Sequence, residues 1–184
     1  MNEFVHVGTG YLAARALGYR EHRFETLFVA LAAYSPDFDA QLRHLSPFFA
    51  HGIWTHTIVG VAIMGLVLAA IGYAVTARLK PEPPVGFMRL WGLAMLGGLS
   101  HLCLDAFTFY YSDGDATHHM YFWPLWNFPW HINTIFPGTT FTVRVWVEVI
   151  YSVLVGCVIL PYQWVYRKEN PFRMLNPRGW FRAG

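Results

Sequence analysis

The chain has 184 residues, of which 55% are hydrophobic, 18% aromatic and only 13% charged, with a formal net charge of +2. That length suits one domain, but the apolar excess is too great for an ordinary soluble one and points to a membrane. Two cysteines exclude a disulfide framework or a four-cysteine zinc site, and the Lys and Arg residues form flanks and a tail rather than a patch interleaved with aromatics, so no nucleic-acid partner is expected.

In chain order, residues 4–17 and 24–35 read as two short apolar helices joined by the basic turn GYREHR, residues 18–23. They predict a hairpin that dips into or crosses the membrane. A signal peptide would want a basic start and a small-residue cleavage site, so no cleavage is expected. SPDFDA, residues 35–40, breaks the second helix at Ser35 and Pro36, and Asp37 or Asp39 could simply cap the next turn of helix. HGIWTHT, residues 51–57, then sets His51 and His56 five apart before residues 58–77, which carry no charge. A bilayer core needs roughly 20 apolar residues per helix, so 58–77 is a span. KPEPPVG, residues 80–86, is a loop because consecutive prolines cannot continue a helix. Residues 90–112 form a second span, broken only by His101 and Asp105, and residues 145–166 a third, broken only by Glu148. Between them, residues 113–140 make a long connection over the bundle mouth, with Trp123, Trp126 and Trp130 suited to an interfacial belt. The expected fold is therefore all-α: a polytopic membrane helical bundle of about five helices, three spans plus an N-terminal hairpin, ending in a short basic tail at about 167–184.

Lys and Arg mark cytoplasmic loops. Arg78, Lys80 and Arg89 flank one loop and Arg167, Lys168, Arg173, Arg178 and Arg182 fill the tail, which puts both inside, with the C-terminus cytoplasmic. On that topology His6, Asp37, Asp39, His51 and His56 fall at the outer end. His101 and Asp105 lie about 18 and 24 Å along their helix from Arg89, in the same outer half. Glu148 also starts its span there, but Arg144 four residues earlier favours an intrahelical ion pair.

A carboxylate near the bilayer centre costs at least about 2.5–3.5 kcal/mol on insertion scales, so Asp105 needs a partner. His101, four residues away, lies on the same helix face. Either the two hydrogen-bond each other, or a metal ion neutralises the carboxylate and takes the neutral imidazole. Nitrogen and oxygen ligands without thiolates suit zinc first, then manganese or iron. His118, His119 and His131 read as solvated loop residues, and the Gly97–Gly98 pair as a close helix contact. Other classes stay open. A metal or proton transporter would need a polar path toward the cytoplasm. A b-type haem protein would use His56 and His101, and a structural subunit would bind no metal.

The ordered motifs FVHVGTG, SPDFDA, HGIWTHT, HLCLDAFTFYYSDG and YFWPLW, over roughly residues 1–130, resemble the YdjM-like family of membrane-bound, metal-dependent hydrolases. That family is distantly similar to zinc-dependent phospholipase C and the S1/P1 nucleases. The resemblance implies one integral-membrane hydrolase domain over residues 1–184, holding one to three divalent ions. It implies His6, Asp37, His56, His101 and Asp105 as metal ligands, with His51 and Asp39 as further ligands or groups supporting them. The chain departs from the family's HRGxTHS pattern, because Gly52 and Ile53 follow His51 where an arginine is usual, and THT stands for THS. The implied reaction is hydrolysis by a metal-activated water, with Asp39 expected as a base or bridging carboxylate and His51 also in a catalytic role. A site at the outer interface of a bacterial-type inner membrane suggests membrane lipid as partner and a lipid-linked phosphoester as substrate. The spacing says nothing of oligomeric state.

Overall fold

The computed structural model describes residues 3–19, 22–42, 44–46, 52–79, 84–110, 120–126, 128, 130–168 and 170–181. Among them the chain is all-helical, without strands. Helix α1 (Glu3–Ala16) and α2 (Arg23–Tyr34) form the expected hairpin. Gly18, at φ 89°, ends α1 in a left-handed cap, with Tyr19 N donating to Ala14 O at 3.1 Å and Gly18 N to Arg15 O at 3.2 Å. After α2 a 3₁₀ turn, Ser35–Asp37, leads into the short α3 (Phe38–Leu42). Helix α4 (Ile58–Leu79) and α5 (Phe87–Thr108) come next, then α6 (Ile132–Ile135) in the long connection. Last comes α7 (Phe141–Val153), continued without a break through a π-helical segment, Leu154–Ile159, into α8 (Leu160–Val165).

Three helices are long and apolar enough to cross a membrane: Ile58–Leu79, Phe87–Thr108 and Phe141–Val165. At 1.5 Å per residue they are about 33, 33 and 38 Å long, whereas α1 and α2 reach only about 21 and 18 Å against a hydrocarbon core of about 30 Å. The second span begins at Phe87, three residues earlier than its hydropathy suggests. Gly86 is extended and starts the helix as soon as the prolines end, and extended Phe109 stops it at the other side.

The layers are set by which faces can approach. Helix α5 is central, packed against α1, α2 and α4. A Cβ on Gly97 would fall 2.5 Å from Val29 O, and one on Gly98 2.4 Å from a Val61 methyl, so the glycine pair seats α2 on one side of α5 and α4 on the other. Gly10 of α1 meets Ala33 of α2 in the same way, at 2.6 Å. With lipid as apolar as leucine, such close backbone approach is what drives helices together in a membrane. Val61, Gly65, Ala69, Gly72 and Thr76 form the buried stripe of α4, while Ile63, Leu66, Val67 and Ile71 are exposed on its other face. The last span is almost wholly exposed, touching α1 through Val155 at Gly8 and Gly156 at Phe4. Exposed apolar faces of this extent belong in lipid, not water.

The long connection folds over one end of the bundle. Tyr121 O accepts from Ile58 N at 2.8 Å and Phe109 O from Ile132 N at 3.0 Å, and Trp54 meets Trp123 edge-on at 4.8 Å. Phe122, Trp126, Phe128 and Trp130 form a continuous aromatic cluster there. The C-terminal segment is not a free tail. After α8 it turns through two 3₁₀ helices, Pro171–Leu175 and Pro177–Gly179, and docks Trp180 and Phe181 against Phe24, with ring centroids 5.4 and 5.2 Å away.

Candidate metal centre

Four segments bring one residue group together at the end covered by the long connection. His6 stands one turn into α1, Asp37 in the 3₁₀ turn after α2, His56 just before α4, and His101 and Asp105 in the last turns of α5. All are buried: the three imidazoles have 0% exposure and Asp105 3%. His51 lies outside the described residues, as do His118 and His119.

The distances between these groups carry the chemistry. Asp105 lies 3.0 Å from His101 Nε2, 3.5 Å from His56 Nε2 and 3.4 Å from His6 Nε2. Asp37 lies 3.4 Å from His56 Nε2, 3.5 Å from His101 Nε2 and 3.9 Å from His6 Nε2. His6 and His101 are stacked with centroids 3.7 Å apart, and His56 stands edge-on to His101. Most of these separations are long for hydrogen bonds. They match the spacing of ligands around one ion, since two atoms each about 2.1 Å from a tetrahedral metal are about 3.4 Å apart. His6, Asp37 and His101 form one group able to hold an ion, and His56, His101 and Asp105 a second that shares His101.

The surrounding hydrogen bonds decide which ring nitrogens face the centre. His101 Nδ1 sits 2.8 Å from Ala33 O, and a carbonyl only accepts, so Nδ1 carries the proton and Nε2 presents its lone pair. Thr55 Oγ1 donates to Asp39 Oδ2 and therefore accepts from His56 Nδ1 at 3.0 Å. Asp39 itself lies 3.5 Å from the same nitrogen and is held by Gly52 N at 3.1 Å. His56 Nε2 then also points inward, 3.2 Å from His101 Nε2. Two lone pairs aimed at each other require a positive charge between or beside them, a metal ion or a proton. Burial opposes charge on His56, but hydrogen bonds to Asp37 and Asp39 outweigh it and hold its pKa up at about 9. Burial likewise works against ionised Asp37, and the His56 hydrogen bond overrides it, lowering that pKa. His6 Nδ1 has no hydrogen-bond partner among the described residues.

Five of the sequence-predicted residues, His6, Asp37, His56, His101 and Asp105, thus share one pocket. Asp39 is beside it, on the Nδ1 side of His56, away from the point where the other carboxylates meet. Arg144 and Glu148 pair with each other at 2.9 Å, as expected, and Arg144 also donates to Thr108 O. His131 corrects an expectation. It is fully buried rather than solvated, its ring 5.2 Å from Phe109 and its backbone N–H donating to Thr134 Oγ1 at 2.8 Å, because the connection packs onto the bundle. Sequence reasoning did not single out Thr55 or the Ala33 carbonyl. The first has a signal, its place directly before His56; the second has none, since any residue supplies a carbonyl.

Fold and site together define an integral membrane protein of helical build, with a buried His and Asp cluster suited to a metal ion. The family model for the YdjM inner membrane protein matches residues 1–174, so the chain belongs to the YdjM inner membrane protein family. No curated protein and no solved structure matches it.

Proposed function

We propose that the protein is a metal-dependent hydrolase of the membrane, cleaving a phosphoester in a lipid-linked substrate. The observation that carries this reading is the pair of inward Nε2 atoms of His56 and His101, flanked by Asp37 and Asp105 at 3.0–3.5 Å. His6, Asp37, His56, His101 and Asp105 would hold the ion or ions, zinc being the first choice for nitrogen and oxygen donors. Such an ion supplies an activated water near neutral pH and a positive charge for a phosphoryl oxygen. Asp39 is a positioning residue. It holds His56 through Nδ1, the arrangement that fixes tautomer and ring direction at histidine-bound metals. Asp37 has the most exposed side chain of the cluster, at 12%. Basic residues at the far end, Arg78, Arg89 and Arg167, favour that end as cytoplasmic and the site as outward-facing. The distant similarity expected between the family and zinc-dependent phospholipase C or the S1/P1 nucleases makes the phosphoester the first substrate class, by analogy.

The rival classes fit the geometry less well. A haem between His56 and His101 would need its ring plane where Asp37 and Asp105 already crowd both Nε2 atoms. A transport path would have to cross the apolar packing of Phe28, Val29, Leu90, Leu93 and Ala94 beneath the cluster. The test is elemental analysis of detergent-purified protein, followed by assay against phosphodiester and phosphomonoester lipids. Stoichiometric metal with lipid phosphoester cleavage is expected; metal-free protein without activity would defeat the reading.

A further inference from the structure

At the opposite end of the bundle a second cavity, about 280 Å³, is lined by Arg15, Arg23, Arg167, Lys168 and Arg173 together with Tyr11, Thr26, Asn170, Pro171 and Met174. Arg15 is nine residues along α1 from His6, about 14 Å, so this is not the metal centre. The five cations come from four places: the end of α1, the start of α2, the turn after α8 and the first 3₁₀ helix of the C-terminal segment. An inside bias of positive charge asks only that basic residues lie on this side of the membrane. It does not ask that they surround one cavity. No acidic side chain is among the lining residues, and among the described residues no carboxylate pairs with Arg23, Arg167, Lys168 or Arg173.

Folding the tail back creates this convergence. Gly179 packs so tightly on Arg23 that a Cβ there would fall 2.2 Å from the guanidinium, and Trp180 Nε1 donates to Met174 O at 2.7 Å. Beside the cavity lies a mainly apolar groove of about 550 Å³ between α1 and the last span, lined by Leu12, Ala16, Val158, Ile159, Tyr162 and Gln163. Arg15 and Arg167 line both. A cationic chamber that shares two arginines with a mainly apolar groove beside the last span matches one class of molecule in both halves.

We infer that this end of the protein binds an anionic phospholipid, its phosphate headgroup among Arg23, Arg167 and Arg173 and an acyl chain along Leu12, Ala16 and Ile159. Basic pockets between membrane helices recognise anionic headgroups through charge and hydrogen bonding. The experiment titrates the full chain, purified in detergent, with phosphatidylglycerol or phosphatidylcholine in mixed micelles and counts bound lipid by native mass spectrometry. A parallel arm uses inorganic phosphate alone. Phosphatidylglycerol is expected to bind in preference to phosphatidylcholine. The double variant Arg167→Gln/Arg173→Gln, changed at two exposed side chains, is expected to lose at least about tenfold in affinity. Ala16→Trp, which narrows the groove and removes no charge, should weaken binding too. Equal binding of the two lipids, or undiminished phosphatidylglycerol binding by the double variant, overturns the inference. So does phosphate binding as tight as that of phosphatidylglycerol with Ala16→Trp without effect, which would make the cavity a site for a soluble anion.

Discussion

His56 and His101 lie 45 residues apart in the chain, yet their Nε2 atoms face each other across 3.2 Å. Each ring is turned by a partner on its far side, Asp39 and Thr55 for His56 and the Ala33 carbonyl for His101. A buried site would not keep two such lone pairs opposed without a positive charge to share, a proton or a metal ion.

Replacing His101 or Asp105 by alanine should therefore remove bound metal and activity together, because His101 belongs to both ligand groups and Asp105 to one. Elemental analysis beside a melting curve in detergent measures this. Full metal occupancy in both variants would sink their assignment as ligands.

Asp39→Asn tests the supporting role. Asparagine can still accept from Gly52 N and Thr55, but it no longer offers a carboxylate to His56 Nδ1. Metal affinity should fall about 10- to 100-fold with the fold intact, the usual cost of losing such a partner. Competition against a chelator of known affinity reads the change; an unaltered affinity would leave Asp39 without this function.

Metal binding should also depend on pH in a definite direction. With the metal-free His56 pKa at about 9, the ring is protonated at neutral pH and must lose that proton to act as a ligand. Apparent affinity should thus fall as pH drops below about 9, by up to about tenfold per unit for one proton. Titration calorimetry in two buffers of different ionisation heat would detect the released proton, and a flat profile between about pH 6 and pH 9 would contradict it.

The glycine contacts make a prediction about stability that extends to the site. Gly97→Ala puts a methyl 2.5 Å from Val29 O and 2.7 Å from Ala33 N, and overpacking of this kind costs about 1–3 kcal/mol. Since Ala33 also orients His101, the variant should melt earlier and hold metal more weakly. Gly92→Ala, whose Cβ would meet nothing within 4 Å, is the control and should lower neither, since alanine is the better helix former.

Topology is checked by fusion. A fluorescent protein at the C-terminus should light up and alkaline phosphatase at the same place should stay silent, as the basic flanks require. The opposite pair of results would put the metal centre on the cytoplasmic side.

Much of this was legible in the order of residues. Apolar runs near 58–77, 90–112 and 145–166 announce the spans because lipid accepts or rejects each segment by its own side chains. The His101 and Asp105 spacing announces a shared face because helix geometry is local. Less could be read in residues 113–140 and in the tail. Polar and aromatic residues such as His131 and Trp180 suit a wet loop as well as a packed one, and the choice depends on surfaces that other helices provide. Nor could the tail's arginines be assigned a wall of a cavity from their spacing.

Composition and helical period alone thus determined that the protein lives in a membrane, how many long helices it has and which polar side chains those helices carry inward, since each is a property of a short stretch of chain. Only the tertiary structure decided that His6, Asp37 and His56 join His101 and Asp105 at one point, which nitrogen each of His56 and His101 turns toward it, and that Arg23 and Arg173 gather at the other end. Those outcomes depend on distances through space, set by how closely Gly10, Gly97 and Gly98 let the helices approach.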